Sequence, residues 1–205
     1  MMFRHRGRVP EIDPTAWVAP NAVVSGDVRI GPGTAVLYGA VLTGEGGAIR
    51  IGAECVVMEH AVLRATPRHR LSIGDGVLIG PGAHVTGCTV EDEAFLATGT
   101  AVFNGARVGR GSSVRIGAVV HVNTRLSAEA VVPIGWVAVG DPAQVFPPGA
   151  HDRIWPIQRL LDFPGTVFGV PRAQSRASIR RYARALTRHR DDIPFEPPER
   201  RDGPS

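Results

Sequence analysis

The chain has 205 residues, 43% hydrophobic and 20% charged, which is enough apolar material for a buried core. Its 23 basic residues are all arginine and 19 acidic residues nearly offset them; without a basic stripe interleaved with aromatics, no nucleic-acid partner is expected. No apolar run reaches the length of a membrane span, Met1-Met2-Phe3-Arg4-His5-Arg6 lacks the apolar core of a signal peptide, and Cys55 and Cys88 alone make neither a disulfide framework nor a zinc knuckle, so a cytoplasmic protein with no membrane partner is expected.

In chain order, aliphatic residues recur every six positions from Val18 through Val24, Ile30, Val36 and Leu42. After a short insertion the register resumes at Ile51, Val57 and Leu63, and again at Ile73, Ile79 and Val85. It slips by one residue to Val90 and continues through Leu96, Val102, Val108, Val114, Val120, Leu126 and Val132. Four residues after an anchor the chain is mostly small, as at Ala22, Thr34, Ala40, Cys55, Ala61 and Ala83. A period of six fits neither a helix nor a simple alternating strand. It is the hexapeptide signature of a parallel β-helix, in which three hexads close one triangular coil and the anchors stack as the core. The stretch from Leu63 to Cys88 interrupts the pattern with the loop Thr66-Pro67-Arg68-His69-Arg70, and such interruptions of a solenoid are where function concentrates.

The coils are expected to end near Pro133 to Ala143, giving a β-helix domain at 1–148 and a C-terminal extension at 149–205. In the extension, His151 to Leu161 reads as a short helix limited by Pro156, and Phe163-Pro164-Gly165 as a turn. Ala173 to Arg190 reads as a helix with Ile179, Tyr182, Ala183 and Leu186 on its apolar face, packed on the prism or on a neighbouring subunit. From Asp191 the chain is proline-rich and charged, and disorder is expected.

Within this frame, Gly26-Asp27-Val28-Arg29-Ile30-Gly31, Gly87-Cys88-Thr89-Val90 and Val139-Gly140-Asp141-Pro142-Ala143 resemble landmarks of the γ-class carbonic anhydrases and their left-handed β-helix relatives, over roughly residues 18 to 148. The resemblance implies an all-β, left-handed parallel β-helix with a C-terminal α-helical extension. It also implies a homotrimer with zinc sites between subunits, two histidines coming from one subunit and the third from its neighbour. Aligned without gaps from Gly26 to Leu63 and from Leu71 onward, the family's first zinc histidine falls at Arg64 and the other two at Pro81 and Thr86. Its active-site arginine falls at Thr43, its aspartate at Glu45, and its asparagine and glutamine at Val56 and Met58. Catalytic zinc needs neutral imidazole, and a guanidinium offers no lone pair. The expectation is therefore a protein without metal ligands or cofactor, binding or acting on a small anionic, carboxylate or acyl molecule in the cleft between subunits, with Arg64 supplying the positive charge.

In this reading Arg64, Glu45, His60, Thr86 and His121 are ligand-binding candidates, and Glu59 or His84 is the base for any proton transfer. Each histidine also fits an ordinary surface or interface role, and Arg64 also fits a structural pairing with Glu45 or Glu59. Three alternatives stand beside this one: a hexapeptide acyltransferase with His69 or His84 as base, a non-catalytic scaffold trimer, and a metal-dependent lyase or hydrolase rebuilt around His60, His84 and His121.

Overall fold

Parallel pairing at intervals of three hexads builds the architecture. Phe95 pairs with Ser113 and Ser113 with Val131, a step of eighteen residues each time. Where the sequence register slips, the coil changes length to match. Ala35 pairs with Val56 and Val56 with Leu78, longer steps that absorb the two insertions, whereas Leu78 pairs with Phe95 in a step one residue short. The computed structural model describes residues 1–169 and 175–196. Its repeated coils form the parallel β-helix that the hexads imply, with the left-handed coil that the resemblance implies. No helix among the described residues is long and apolar enough to cross a membrane.

Every anchor from Val24 to Val132 is buried, so the prism interior is a stack of Val, Ile and Leu. The small residues four places later are buried too, including Ala22, Thr34, Cys55, Ala83, Thr100 and Thr124, because the corner turns the side chain inward where nothing larger fits. Two polar members of that set bond to the backbone: Thr34 Oγ1 donates to the Gly52 carbonyl at 2.8 Å, and Thr124 Oγ1 accepts from Gly140 N at 3.2 Å. Outside, Asp75 and Asp92 form a corner ladder, accepting from the backbone N–H groups of Ala53 (2.7 Å) and Asp75 (3.0 Å).

The three faces differ outside. The first presents Trp17, Ala35, Val56, Leu78, Phe95, Ser113 and Val131, an almost wholly apolar column. The second presents Val23, Val41, Val62, His84, Ala101, Val119 and Val137, again apolar apart from His84. The third presents Glu11, Arg29, Arg50, Ser72, Thr89, Arg107 and Arg125, and is polar throughout. Leu63 is an interior anchor with no exposure, whereas its neighbour Val62 stands outward on the second face.

Beyond the last coil, Gln144–Phe146 folds back antiparallel on Val137–Val139. Helix α1 (His151–Gln158) carries Pro156 inside it and gives way to a 3₁₀ turn at Arg159–Leu161. The segment read as a turn at Phe163 is the start of helix α2 (Phe163–Phe168). Pro164 occupies the first turn, where its missing N–H is not needed, and the Asp162 carboxylate accepts from Gly165 N at 3.1 Å. Helix α3 spans Ser175–Leu186, followed by a 3₁₀ turn at Thr187–Asp191; Ala173 and Gln174 of the expected helix lie outside the described residues. Its inward side is Tyr182, Leu186 and then His189, while Ile179 and Ala183 face outward.

The expected disorder from Asp191 is corrected as far as Glu196 by a strand; residues 197–205 lie outside the described residues. Ile193–Phe195 pairs antiparallel with Met2–Arg4, which itself pairs parallel with Val24 and Ser25 as an extra rung of the second face. Pro194 fits there because this is an edge strand. The composition of the stretch is that of a tail, yet the open end of the prism offers unpaired backbone groups that a short strand can cover.

Leu63→Ala removes one interior rung and is expected to cost about 2–5 kcal/mol in urea unfolding. A cost below about 1 kcal/mol would contradict the stacked-anchor account.

Candidate functional site

Two insertions fall at one corner, just after the second-face strands. Extra residues lengthen the strand Val41–Ile51 around Gly44 to Gly47, and the next coil adds the loop Thr66 to Arg70. That loop is closed by reciprocal backbone bonds between Thr66 and His69 at 2.9 and 3.1 Å. The two bulges lie one on the other so closely that a side chain at Gly47 would collide with the Thr66 carbonyl. Together they carry Glu45 and Arg68 beyond the prism wall.

The residue after each second-face anchor forms a column: Ser25, Thr43, Arg64 and Thr86 in paired register, with Phe103 and His121 following Val102 and Val120. The C-terminal segment runs over this column. Arg64 Nη2 pairs with Glu45 Oε1 at 2.7 Å, and its Nη1 donates to the Tyr182 hydroxyl of α3 at 2.7 Å. Burial raises the Tyr182 pKa, which keeps the phenol a neutral partner. Arg64 Nε and Thr86 Oγ1 are both buried without a hydrogen-bond partner among the described residues. Arg64 is thus charge-compensated by Glu45 and capped by its own chain.

The other sequence candidates are spread along the prism. His84 stands exposed on the outer side of the strand His84–Thr86; surrounding atoms and the Arg64 charge hold its pKa below the ordinary histidine value. Glu59 and His60 sit at the corner between the first and second faces. His60 has φ 57° and its ring lies over Gly39, while the Glu59 carboxylate makes no hydrogen bond or ion pair among the described residues. His121 lies further down the column, under the C-terminal segment. Its Nε2 is 3.1 Å from Gln158 Nε2, and its ring is near those of Phe103 and Phe163. Burial lowers the His121 pKa. His69 is engaged in holding its loop, with Nε2 3.2 Å from the Thr166 carbonyl. Arg64, Glu45 and Thr86 therefore come together, whereas His60, His84 and His121 do not form a cluster among the described residues.

A different group does converge. His5 Nδ1 lies 2.5 Å from Asp192 Oδ1, and His189 Nδ1 lies 2.8 Å from Asp192 Oδ2. The two imidazoles stack with centroids 4.4 Å apart. Burial opposes ionisation of Asp192, but hydrogen bonds from His189 and His5 outweigh it and hold the carboxyl below its usual range. None of these residues stood out in the sequence, although the His189-x-x-Asp192 spacing is one turn of helix and was the available signal. His5 and His189 line a cavity of about 210 Å³ between the N-terminal hairpin, the 66–70 loop and helices α2 and α3. Arg6, Arg68 and Arg181 also line it, and Glu45 is its acidic member.

No model of a known protein family matches the chain. It is 36% identical over 155 residues to γ carbonic anhydrase 1, mitochondrial, of Arabidopsis thaliana, an overlap covering 70% of this chain and 54% of that protein. The chain is a γ-carbonic-anhydrase-like β-helix. It spans about half the length of the curated relatives it matches. Among solved structures, a hexapeptide transferase family protein from Anaplasma phagocytophilum superposes with a TM-score of 0.50 at 25% identity, covering 79% of this chain and 92% of that one. A UDP-N-acetylglucosamine acyltransferase from Bacteroides fragilis 9343 superposes at 0.56 with 17% identity, covering 92% and 80%, a likeness of fold.

The resemblance puts the zinc-ligand positions of this γ-carbonic-anhydrase-like chain at Arg64, Pro81 and Thr86. Arg64 is a cation already spent on Glu45, Pro81 has no donor atom in its side chain, and Thr86 supplies only a neutral hydroxyl.

His121 gives a pH signature. Its pKa is lowered in the folded state, so as pH falls below about 6.5 the unfolded chain takes up a proton that the folded chain refuses, and stability drops. Urea titrations of His121→Phe are expected to show a shallower loss of stability from pH 7 toward pH 5 than the wild type. Equal slopes would contradict burial of a neutral imidazole.

Proposed function

We propose that this protein is a γ-carbonic-anhydrase-like trimer that binds a small carboxylate- or acyl-bearing anion, and that it does so in the cavity beneath α3. CO₂ hydration on zinc at the Arg64 position is not part of this reading. The observation that carries it is the charge balance of the cavity. Glu45 is taken up by Arg64, so Arg6, Arg68 and Arg181 face the space without an acidic partner among the described residues. The Arg6 guanidinium lies against Gly46 (φ 81°) and that of Arg68 against Gly169 (φ 68°), where a side chain would displace either one. Guanidinium groups that line a small enclosed space recognise carboxylate through paired charge-assisted bonds. Val167, Phe168 and Ala185 supply an apolar wall for the rest of such a molecule.

The trimer rests on the outer faces. Two apolar faces meeting at one corner, with the third face charged, suit a ring in which each prism gives its first face to one neighbour and its second to the other. Sedimentation at micromolar concentration is expected to return a trimer. A clean monomer would contradict this part of the proposal.

Calorimetric titration with malonate and with inorganic phosphate tests the ligand class. Arg68→Ala and Arg181→Ala are each expected to weaken binding about tenfold, the order expected for one charge-assisted contact. Arg64→Ala is expected to weaken it less, because that guanidinium is already compensated. Unchanged binding in both cavity variants, or no binding by the wild type, would overturn the reading.

His84 favours a second reading, hexapeptide acyl transfer. It is exposed on the second face, and its lowered pKa leaves it neutral at pH 7 and able to accept a proton. Binding of coenzyme A would support this reading, and its absence in calorimetry would remove it.

A further inference from the structure

We propose that His5, His189 and Asp192 form a divalent metal site, suited to zinc or another borderline cation, that ties the two ends of the chain together at the rim of the cavity. The site is distinct in place and residues from the column position at which the resemblance puts zinc.

One nitrogen of each imidazole and one carboxylate oxygen all lie within 4.8 Å of one another. They arrive from opposite ends of the sequence. The turn at Arg6 and Gly7, closed by paired backbone bonds between His5 and Arg8 at 3.0 Å, fixes His5 beside the first strand. The 3₁₀ turn Thr187–Asp191 sets His189 on the same side as Asp192. His5 is 4% exposed and Asp192 12%, whereas His189, at 33%, faces the cavity side. Two imidazoles and one carboxylate are the donor set of many three-ligand sites that leave a fourth position open, and here that position faces the cavity. A lone carboxylate among nitrogen donors is a poor match for magnesium or calcium, which take oxygen shells.

The surroundings of the ligands supply a second, independent observation. A histidine that binds metal through Nδ1 commonly directs its Nε2–H at a carboxylate, which fixes the tautomer and raises the basicity of the ligand. His189 Nε2 lies 3.9 Å from Glu45 Oε1, a charge contact rather than a hydrogen bond, with the same oxygen paired to Arg64. Asp192 is in turn steadied by Ser25 Oγ, which donates to Oδ2 at 3.3 Å. The present spacings of 2.5 and 2.8 Å between ligand atoms are those of direct hydrogen bonds, so a metal would replace the bridging protons and widen the spacings toward the roughly 3.3 Å that tetrahedral ligation at about 2.0–2.1 Å requires.

Full-length protein stripped with chelator and titrated with Co²⁺, followed by visible absorption and by calorimetry, tests the proposal in the absence of any anionic ligand. The expected result is one equivalent bound per chain with the strong visible bands of a low-coordinate site. His189→Ala and Asp192→Asn are each expected to weaken binding by at least about tenfold, and Glu45→Gln by a smaller factor. His151→Ala, which removes an exposed histidine elsewhere, is expected to leave binding unchanged. His5→Ala is read only if circular dichroism shows it folded, since His5 is buried. No Co²⁺ binding by wild type, or binding that survives both His189→Ala and Asp192→Asn, would overturn the site and leave a hydrogen-bonded latch in its place. Because malonate and phosphate are absent from this titration, its failure and the failure of the anion reading are separate results.

Discussion

The fold depends on one constraint, that each coil can bond only to the coil above and below it, in register. A rung of eighteen residues satisfies every ladder bond, so any surplus must leave the wall at a corner. The surplus leaves at one corner in two successive coils, around Gly44 to Gly47 and at Thr66 to Arg70, and the bulges stack because glycine lets Gly47 approach the Thr66 carbonyl. The candidate site is the shelf they make. Without the register constraint the extra residues would spread, and Glu45 would not meet Arg64.

On this shelf the charges are arranged in order. Arg64 is the most enclosed arginine among the described residues; Glu45 compensates its charge and Tyr182 takes a second N–H, while Nε stays unpaired. A buried charge without a partner would cost several kcal/mol, so the pairing is a condition for placing an arginine in the column at all. Its consequence is that the C-terminal segment becomes part of the site, with Tyr182 on Arg64, Asp192 on His5 and Ser25, and Ile193–Phe195 on the first strand. The cations left over line the cavity. The same closure covers the open end of the β-helix, so the segment that completes the site also protects an edge.

The sequence made the prism legible because hexad periodicity is local and repeated: each anchor from Val24 to Val132 could be placed inside from spacing alone, and each is buried. The C-terminal segment was legible only in part. Which face of α3 turns inward depends on what the prism offers opposite it, and that turned Tyr182 inward and left Ile179 exposed. The strand Ile193–Phe195 has its partner at the other end of the chain, Pro194 opposite Phe3, and no window of sequence reports such a pairing. The turn read at Phe163 became a helix because proline in a first turn is permissive, a reading available from the Asp162 cap. At the site, alignment located Arg64, Glu45 and Thr86 as neighbours, and pairing brings them together. His5 and Asp192 meet only through the tertiary closure.

The account's central claim is that the working site is the cavity within one chain, with Arg64 a compensated structural cation. Diffraction at the bromine absorption edge from crystals soaked in 4-bromobenzoate, an unreactive aryl bromide that carries a carboxylate, tests it most directly. The account predicts an anomalous peak in the cavity bounded by Arg6, Arg68 and Arg181, with the Arg64–Glu45 pair intact. A peak found instead beside Arg64 and His84 between subunits, with Glu45 displaced, would contradict it.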